Sequence, residues 1–409
     1  MKKMLQTIIY MLALSIVFHA CSEDPASNDG DSDSTTAPTT YEFYDADENS
    51  TVVYSGQVVR NLLITDIKSL VSEDPSLLVG MYQNSEANQA RSIASASGLS
   101  TVQTTYGDVS SSNLSGKIAS TGDGYGIDDC VVAGYGMEPD VLVNAWFDAA
   151  ASGSYSSDGL DIGQMTQKGL MGLVSYYQGT SKYLGLVLDK DNTTPGEGNF
   201  YTDMEHYWDE SFGYFGASRT YNTLADDNAR KSSSDTDGNG TIDYMTEYNF
   251  DWATYAAKRD IACATAGCTS DADFTGDIMG AYIEGRTLIH NEGALDDITA
   301  QRLIIQNSWE KLVAANVIHY ANDVASKIES GSGILHSWAE MRAFSMALQY
   351  NSAKLISDSV LSDVITLMGV TPPAEADYTT YQTTLTGTDG VVSKLQEAYM
   401  FEDTNVNNW

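Results

Sequence analysis

The sequence is poor in basic residues. Its 409 residues contain 21 lysines and arginines against 56 aspartates and glutamates, which gives a formal net charge of −35. A surface of this charge repels nucleic acid and anionic lipid, so neither is expected as a partner. Such a surface also attracts cations. It is either an ordinary solvated acidic surface or a specific store of cations.

Cysteine is also scarce, with Cys21, Cys130, Cys263 and Cys268 as the four positions. No histidine lies near Cys130, Cys263 or Cys268 in the sequence, which argues against a zinc cluster. Cys263 and Cys268 close a short loop and can form a disulfide in an oxidising compartment, which leaves Cys130 as the odd one. The sequence contains no G-x-S-x-G and no H-E-x-x-H motif, so nothing in it supports nucleophilic hydrolysis.

The apolar run near the N-terminus, residues 8–18, is too short for a stable membrane span. Preceded by Lys2 and Lys3, it predicts an export signal over residues 1–20. A cysteine directly after such a run resembles a bacterial lipoprotein signal, which implies that Cys21 is lipidated. The acidic SED that follows resembles a tag for surface export. We therefore expect a lipid anchor in the outer membrane, with the protein facing the periplasm or the cell surface.

Composition and periodicity divide the rest of the chain into a tether and two helical halves. Residues 21–40 are polar and acidic and predict a disordered tether. Residues 41–220 predict a first helical half with a small N-terminal β-hairpin and a Gly/Ser-rich insertion. Residues 221–275 carry an Asp-rich loop and the cysteine loop, and residues 276–409 predict a second helical half with a C-terminal segment. The predicted class is mainly α.

One pattern occurs twice, and we interpret it as a mark of duplicated halves. The motif H-x-W-x-E at residues 206–210 returns at residues 336–340, and small residues follow at matching positions in both copies. Thr202 and Glu205 predict a capping box at the start of the first copy. The small residues predict close approach of a neighbouring helix.

A histidine and a glutamate four residues apart on a helix can bind one metal ion together. If the two copies face each other, the metal ligands are His206, Glu210, His336 and Glu340, a set that suits iron or zinc. Four further residues are candidates to complete or orient this site: Glu284, His290, Glu310 and His319. The alternative is that the histidines only hydrogen-bond across the helix interface and fix how the halves dock.

A second motif, at residues 235–243, matches the first nine positions of a calcium loop, with glycine at position 6 and an apolar residue at position 8. The predicted calcium ligands are Asp235, Asp237, Asn239, Thr241 and Asp243. Position 12 is Thr246, and Glu247 stands one residue late. We expect a weak extracellular calcium site; the alternative is an Asp/Gly-rich turn that binds nothing.

The segment EHYWDESFGYFG at residues 205–216, together with the lipoprotein signal and residues 41–57, resembles a family of uncharacterised Bacteroidetes-type Gram-negative lipoproteins with a domain of unknown function. More loosely, the chain is similar to imelysin-like proteins, which are exported duplicated helical bundles associated with iron uptake. Their Gly-x-His-x-x-Glu signature implies a role for His206 and Glu210, which stand one residue further apart here.

These patterns lead to one functional hypothesis and two alternatives. The leading hypothesis is an envelope-anchored lipoprotein that binds a metal ion or metal-containing ligand between its halves, in iron acquisition and without catalysis. One alternative is a metal-dependent hydrolase that uses Glu210 or Glu340 as base. The other is a structural or adhesive surface protein stiffened by calcium. An envelope protein partner is expected in the first case, but the sequence does not identify it.

Overall fold

Helices dominate the computed structural model, which describes residues 36–153, 159–266 and 272–409. Within these ranges, eleven helices have nine residues or more and no strand occurs, so the mainly α class is confirmed. The helices are α1 (Ser55–Glu73), α2 (Pro139–Ser152), α3 (Ile162–Leu170), α4 (Asp203–Phe215), α5 (Asp251–Ala266), α6 (Phe274–His290), α7 (Leu295–Ser330), α8 (Leu335–Ala347), α9 (Asp358–Met368), α10 (Tyr378–Thr386) and α11 (Val391–Tyr399).

Several predictions fall outside the described ranges. These are the signal peptide, the lipidated Cys21, most of the tether, and Cys268 of the proposed disulfide. Within the ranges, no helix is both long enough and apolar enough to cross a membrane. Residues Thr35–Trp409 cluster as one unit, and the predicted subdivision within that unit stays a prediction.

The helix ends follow local sequence signals. The predicted capping box of α4 is present, because Thr202 Oγ1 accepts a hydrogen bond from the Glu205 N–H at 3.2 Å and Glu205 Oε2 accepts one from the Thr202 N–H at 2.8 Å. Gly216 ends α4 in the left-handed conformation, with φ of 81°. The longest helix, α7, also ends at a left-handed glycine, Gly331.

The helices pack in a closed circuit. Helix α1 packs on α3, α3 on α8, α8 on α7, α7 on α6, α6 on α4, and α4 again on α1. Helix α3 continues directly into two π-helical turns, Met171–Tyr176 and Gln178–Tyr183. Helix α8 contacts the first of these turns and α4 contacts the second. The two helices that carry H-x-W-x-E therefore stand at different places in the circuit.

The segment before α1 covers α4 and joins it to the rest of the fold. Residues 44 and 50 form a single antiparallel bridge, and the hairpin as a pair of strands stays a prediction. Tyr41 stacks on Phe212 with ring centroids 3.7 Å apart, and its hydroxyl donates to Asp209 Oδ1 at 2.7 Å. The N-terminal segment is thus fixed to the apolar side of α4.

A buried arginine connects these elements. The side chain of Arg286 on α6 is fully buried and donates to Glu205 Oε1 at 2.6 Å, Asp209 Oδ1 at 2.9 Å and Thr51 Oγ1 at 2.8 Å. Burial raises the pKa of Glu205, but a hydrogen bond with His290 and the charge of Arg286 more than offset this and lower it below its ordinary value. Burial raises the pKa of Asp209, and the charge of Arg286 opposes that shift. Arg286 is therefore the counter-charge that both carboxylates share.

We predict that Arg286→Met lowers the free energy of unfolding by about 3–5 kcal/mol, because it leaves two buried carboxylates without a counter-charge. Urea unfolding followed by circular dichroism measures the change. Arg91→Met removes a guanidinium that forms no ion pair in the described ranges, and we expect it to cost at most about 0.5 kcal/mol. Equal losses of unfolding free energy in the two variants would contradict the role of Arg286 as the counter-charge of the buried carboxylates.

Candidate functional site

The first H-x-W-x-E copy forms a half-buried pair on α4. His206 Nε2 lies 3.9 Å from Glu210 Oε2, and the imidazole stacks on Tyr201 with centroids 4.6 Å apart. Glu210 Oε1 accepts a hydrogen bond at 2.7 Å from Gln57 on α1. Gly213 makes this approach of α1 possible, since a Cβ there would lie 2.8 Å from Gln57 Cβ. The predicted close helix approach is therefore observed, and its partner is α1.

The second copy lies on α8 and has different neighbours. His336 Nε2 is 3.3 Å from Glu340 Oε2, and His336 Nδ1 is 3.1 Å from Asp161 Oδ2. In the amide orientation that satisfies both of its polar atoms, Gln164 accepts from His336 Nε2 at 3.2 Å and donates to Glu340 Oε1 at 3.2 Å. Lys168 Nζ lies 4.0 Å from that same carboxylate. The imidazole is exposed, whereas Glu340 is buried.

The structure does not bring the two copies together. No three of His206, Glu210, His336 and Glu340 place ligand atoms within 4.8 Å of one another, so the predicted single centre shared by all four is not formed. Helix α8 packs on the first π-helical turn and on α7, whereas α4 packs mainly on the second turn and on α1 and α6, so the two copies have different neighbours. A lysine beside Glu340 also disfavours a cation there.

Two of the four supporting candidates lie on α6, away from both glutamates of the motif. Glu284 is exposed on the helix surface. His290 Nδ1 is 2.9 Å from Glu205 Oε1, so His290 extends the Arg286 network and supports no metal ligand. The structure therefore does not show Glu284 and His290 at a shared site, and a metal role for them stays a prediction.

Glu310 on α7 is buried, and its carboxylate is hydrogen-bonded to other parts of the protein. Its carboxylate accepts hydrogen bonds from the N–H groups of Leu355 and Ile356, from Asn351 Nδ2 and from the Tyr399 hydroxyl, at 2.8–3.0 Å. Burial raises its pKa although these hydrogen bonds oppose the shift. Glu310 thus fixes the chain before α9 to α7.

His319, also on α7, packs edge-on against Tyr320 with centroids 4.7 Å apart. Burial and the nearby positive charge of Arg259 lower the pKa of His319 to about 3. A histidine kept neutral in this way can bind a metal, but the structure places it beside Arg259 and in no cluster of ligands.

The calcium-type loop does bring its first two predicted ligands together. Asp235 and Asp237 lie with Glu247 so that one carboxylate oxygen of each is within 4.8 Å of the others, the one such group among the described residues. Asp235 accepts the N–H groups of Gly238, Asn239 and Gly240 at 2.8–3.1 Å, the wrapped geometry of an Asp-initiated loop.

The other three predicted ligands have different orientations. Asn239 Oδ1 accepts the Thr241 N–H at 2.8 Å. Asp243 Oδ1 turns to Gln103 Nε2 and to the Met245 N–H, both at 2.8 Å. Asp243 therefore connects the loop to the segment before α2 and faces away from the carboxylate group.

Glu247 is the residue that the loop pattern missed. It is buried, and its Oε1 accepts the Thr236 N–H at 2.7 Å and the Asp237 N–H at 3.2 Å, while Oε2 accepts the Asp243 N–H at 3.0 Å. Burial raises the pKa of Glu247, but these hydrogen bonds lower it below its ordinary value. The sequence did contain a signal for this residue, namely a glutamate one position after position 12 of the calcium-loop pattern. Glu247 supplies the carboxylate that the pattern lacks at position 12.

The described cysteines are both buried. Burial raises the pKa of the Cys130 thiol to about 11, which makes it a poor nucleophile at neutral pH. Cys263 Sγ lies 3.4 Å from Asn405 Oδ1. The disulfide between Cys263 and Cys268 stays a prediction, because its second residue is outside the described ranges.

Comparison with known proteins gives one match. Residues 147–365, more than half of the chain, match the family described as Domain of unknown function (DUF4856). The match spans both H-x-W-x-E copies and the Asp-rich loop. No curated protein and no solved structure matches the chain.

We predict that His319→Gln makes the protein relatively more stable in acid. Between pH 6.5 and about 3, His319 binds a proton in the unfolded chain but not in the folded one, so wild-type stability falls as the pH drops through this window. The variant should gain about 1–2 kcal/mol relative to wild type between pH 7.5 and pH 4.5. Urea unfolding at both pH values measures it, and a pH-independent difference would show that the folded protein charges this imidazole.

Proposed function

This chain belongs to the family described as Domain of unknown function (DUF4856), and we propose that it is an envelope-anchored lipoprotein whose Asp-rich loop binds calcium and stiffens a helical surface protein. The family description names no activity, so the proposal rests on the chain's own residues. The observation that carries it is the convergence of the Asp235, Asp237 and Glu247 carboxylates within 4.8 Å.

Calcium suits this group better than a transition metal. Its three side chains offer only oxygen, and Ca²⁺ is a hard cation that takes six to eight oxygen ligands, whereas iron and zinc prefer sites with nitrogen or sulfur. Asn239 and Thr241 on the same loop can add oxygen ligands. No lysine or arginine of the described ranges forms an ion pair with these three carboxylates, so they repel one another, and a divalent cation would relieve that repulsion.

The position of the loop explains what calcium would do. Ile242 exchanges backbone hydrogen bonds with the irregular segment before α2, from its N–H to Ser100 O at 2.8 Å and from Val102 N–H to its own carbonyl at 3.0 Å. The Thr246 carbonyl accepts the Arg219 N–H, just after α4. A cation in the loop would therefore stabilise the attachment of the segment around residues 100–102 to the loop, and of the loop to the end of α4. This supports a structural or adhesive function.

The other hypotheses gain less support. A metal or metal-containing ligand between the halves, in iron acquisition, needs the two H-x-W-x-E copies at one centre, and they have separate neighbours. A metal-dependent hydrolase with Glu210 or Glu340 as base needs the same centre. One observation still supports a duplication of the halves. The helix that carries each H-x-W-x-E copy packs against the helical segment that precedes it in the chain.

We predict that calcium raises the free energy of unfolding by about 1–3 kcal/mol at millimolar concentration relative to EDTA, as expected for a weak extracellular site. Glu247→Gln should abolish this calcium-dependent gain. Glu375→Gln, which removes an exposed acid elsewhere, should keep it. Calorimetry of all three proteins with calcium, magnesium and EDTA measures the effect, and an equal gain in both variants would place calcium outside the loop.

We predict that Cys21→Ser releases the protein from the membrane fraction into the soluble periplasmic fraction. The reason is that an acyl chain on Cys21, and no helix of the described ranges, would hold the protein to the bilayer. Fractionation and mass spectrometry of the mature N-terminus check this result. Unchanged membrane association of the variant would dispose of the lipoprotein proposal while leaving the calcium proposal standing.

A further inference from the structure

A polar cleft of about 500 Å³ opens beside the second H-x-W-x-E copy. Lysines from three helices line it: Lys68 on α1, Lys168 on α3 and Lys258 on α5. Two carboxylates, Glu340 and Asp251, line it together with His336 and uncharged polar side chains, and we call this site the lysine cleft. Its volume falls in the range of pockets that hold small ligands.

The carboxylates of the cleft neutralise its three lysines only in part. Lys168 is 4 % exposed, and its Nζ has Gln167 Oε1 at 2.8 Å and Glu340 Oε1 only at 4.0 Å. In the described part of the chain, neither Lys68 nor Lys258 forms an ion pair with a carboxylate. Partial burial, followed by the charge of Lys168, lowers the pKa of Lys68. The lysines therefore repel one another across the cleft.

Aromatic and amide groups hold these cations in place. Lys258 Nζ lies 4.3 Å and Lys168 Nζ 5.2 Å from the ring centre of Tyr255, on α5. Gln164, in its satisfied orientation, accepts from Lys68 Nζ at 2.8 Å. Three ammonium groups thus line one cavity in a protein with only 21 basic residues, and each has donor protons to offer.

We propose that the lysine cleft binds a small hydroxylated anion, meaning a carboxylate or phosphate that also carries hydroxyl groups. The anionic group takes the place of the missing counter-charges between Lys68, Lys168 and Lys258. Glu340 and Asp251 accept hydrogen bonds from the hydroxyl groups and repel anions that lack them. This proposal does not depend on the calcium loop.

The two carboxylates set the selectivity. A ligand that brings only negative charge faces Asp251 and Glu340 as well as the lysines, so part of its attraction is lost. A hydroxyl group instead satisfies the lone pairs of these carboxylates. Tartrate should therefore bind more tightly than succinate, which has the same two carboxylates and no hydroxyl groups. Phosphate, whose P–OH group can donate, distinguishes a phosphoryl ligand from a carboxylate ligand.

The test is isothermal titration calorimetry of the mature chain with tartrate, succinate and inorganic phosphate, at constant calcium and in a chloride buffer of matched ionic strength. We expect a Kd below about 1 mM for tartrate or phosphate. Lys168→Met should weaken that binding at least tenfold, and Lys394→Met, which removes an exposed lysine paired with Asp363, should leave it unchanged. Absence of binding by both tartrate and phosphate would overturn the proposal, as would unchanged binding in Lys168→Met.

A second measurement uses the wild-type protein and avoids any folding defect of a variant. Lys68 and Lys258 should react with an amine-acylating reagent, and the anion that binds in the calorimeter should slow their modification several-fold while leaving Lys394 unaffected. Mass spectrometry of the digested protein quantifies each site. Equal protection of all three lysines, or none, would overturn the proposal. Binding of succinate as tight as that of tartrate would overturn the part assigned to Glu340 and Asp251.

Discussion

The buried guanidinium of Arg286 is the interaction on which the arrangement of the fold depends. A fully buried charge is costly unless it is paired and hydrogen-bonded, and here both requirements are met by residues of α4 and of the N-terminal segment. Glu205 serves twice, as capping residue of α4 and as counter-ion of α6. Because one carboxylate fixes both the start of α4 and its contact with α6, the position of the helix and its local geometry are set together.

The same interaction explains why the two H-x-W-x-E copies do not meet. At the positions of Glu205 and Asp209 in the first copy, the second copy has Leu335 and Ala339. Helix α8 therefore lacks the two carboxylates that dock α4 onto α6. It carries instead Arg342, which is buried and bonds to the Ala133 carbonyl at 2.6 Å. The motif repeats the spacing of histidine, tryptophan and glutamate, but the residues in and around it decide which partner each helix takes.

The features that could be predicted from the sequence are those formed by residues close together in the chain. The capping box at Thr202 and the Asp-rich loop both follow from spacings of a few residues, and the structure contains them. Partners distant in the chain could not be predicted in this way. Arg286 lies 81 residues from Glu205, and nothing in the pattern around Lys168 indicates that it faces Glu340. A centre shared by four residues failed because it required a tertiary contact that repetition alone does not specify.

The distribution of acidic and basic side chains accounts for both proposed sites, the calcium loop and the lysine cleft. Several of the few cationic side chains are buried, among them Arg286, Arg342 and Lys168, while the acidic excess remains largely at the surface. An acidic exterior raises the local concentration of divalent cations, and its exposed loop offers them three converging carboxylates. Among the described residues the interior as a whole is not cationic, because buried acids outnumber buried bases. The lysine cleft is a local exception, since α1, α3 and α5 each contribute a lysine to it, and this is where we propose that an anion binds. The acidic excess at the surface and the local excess of lysines in the cleft are the two charge patterns on which the proposed cation and anion sites rest.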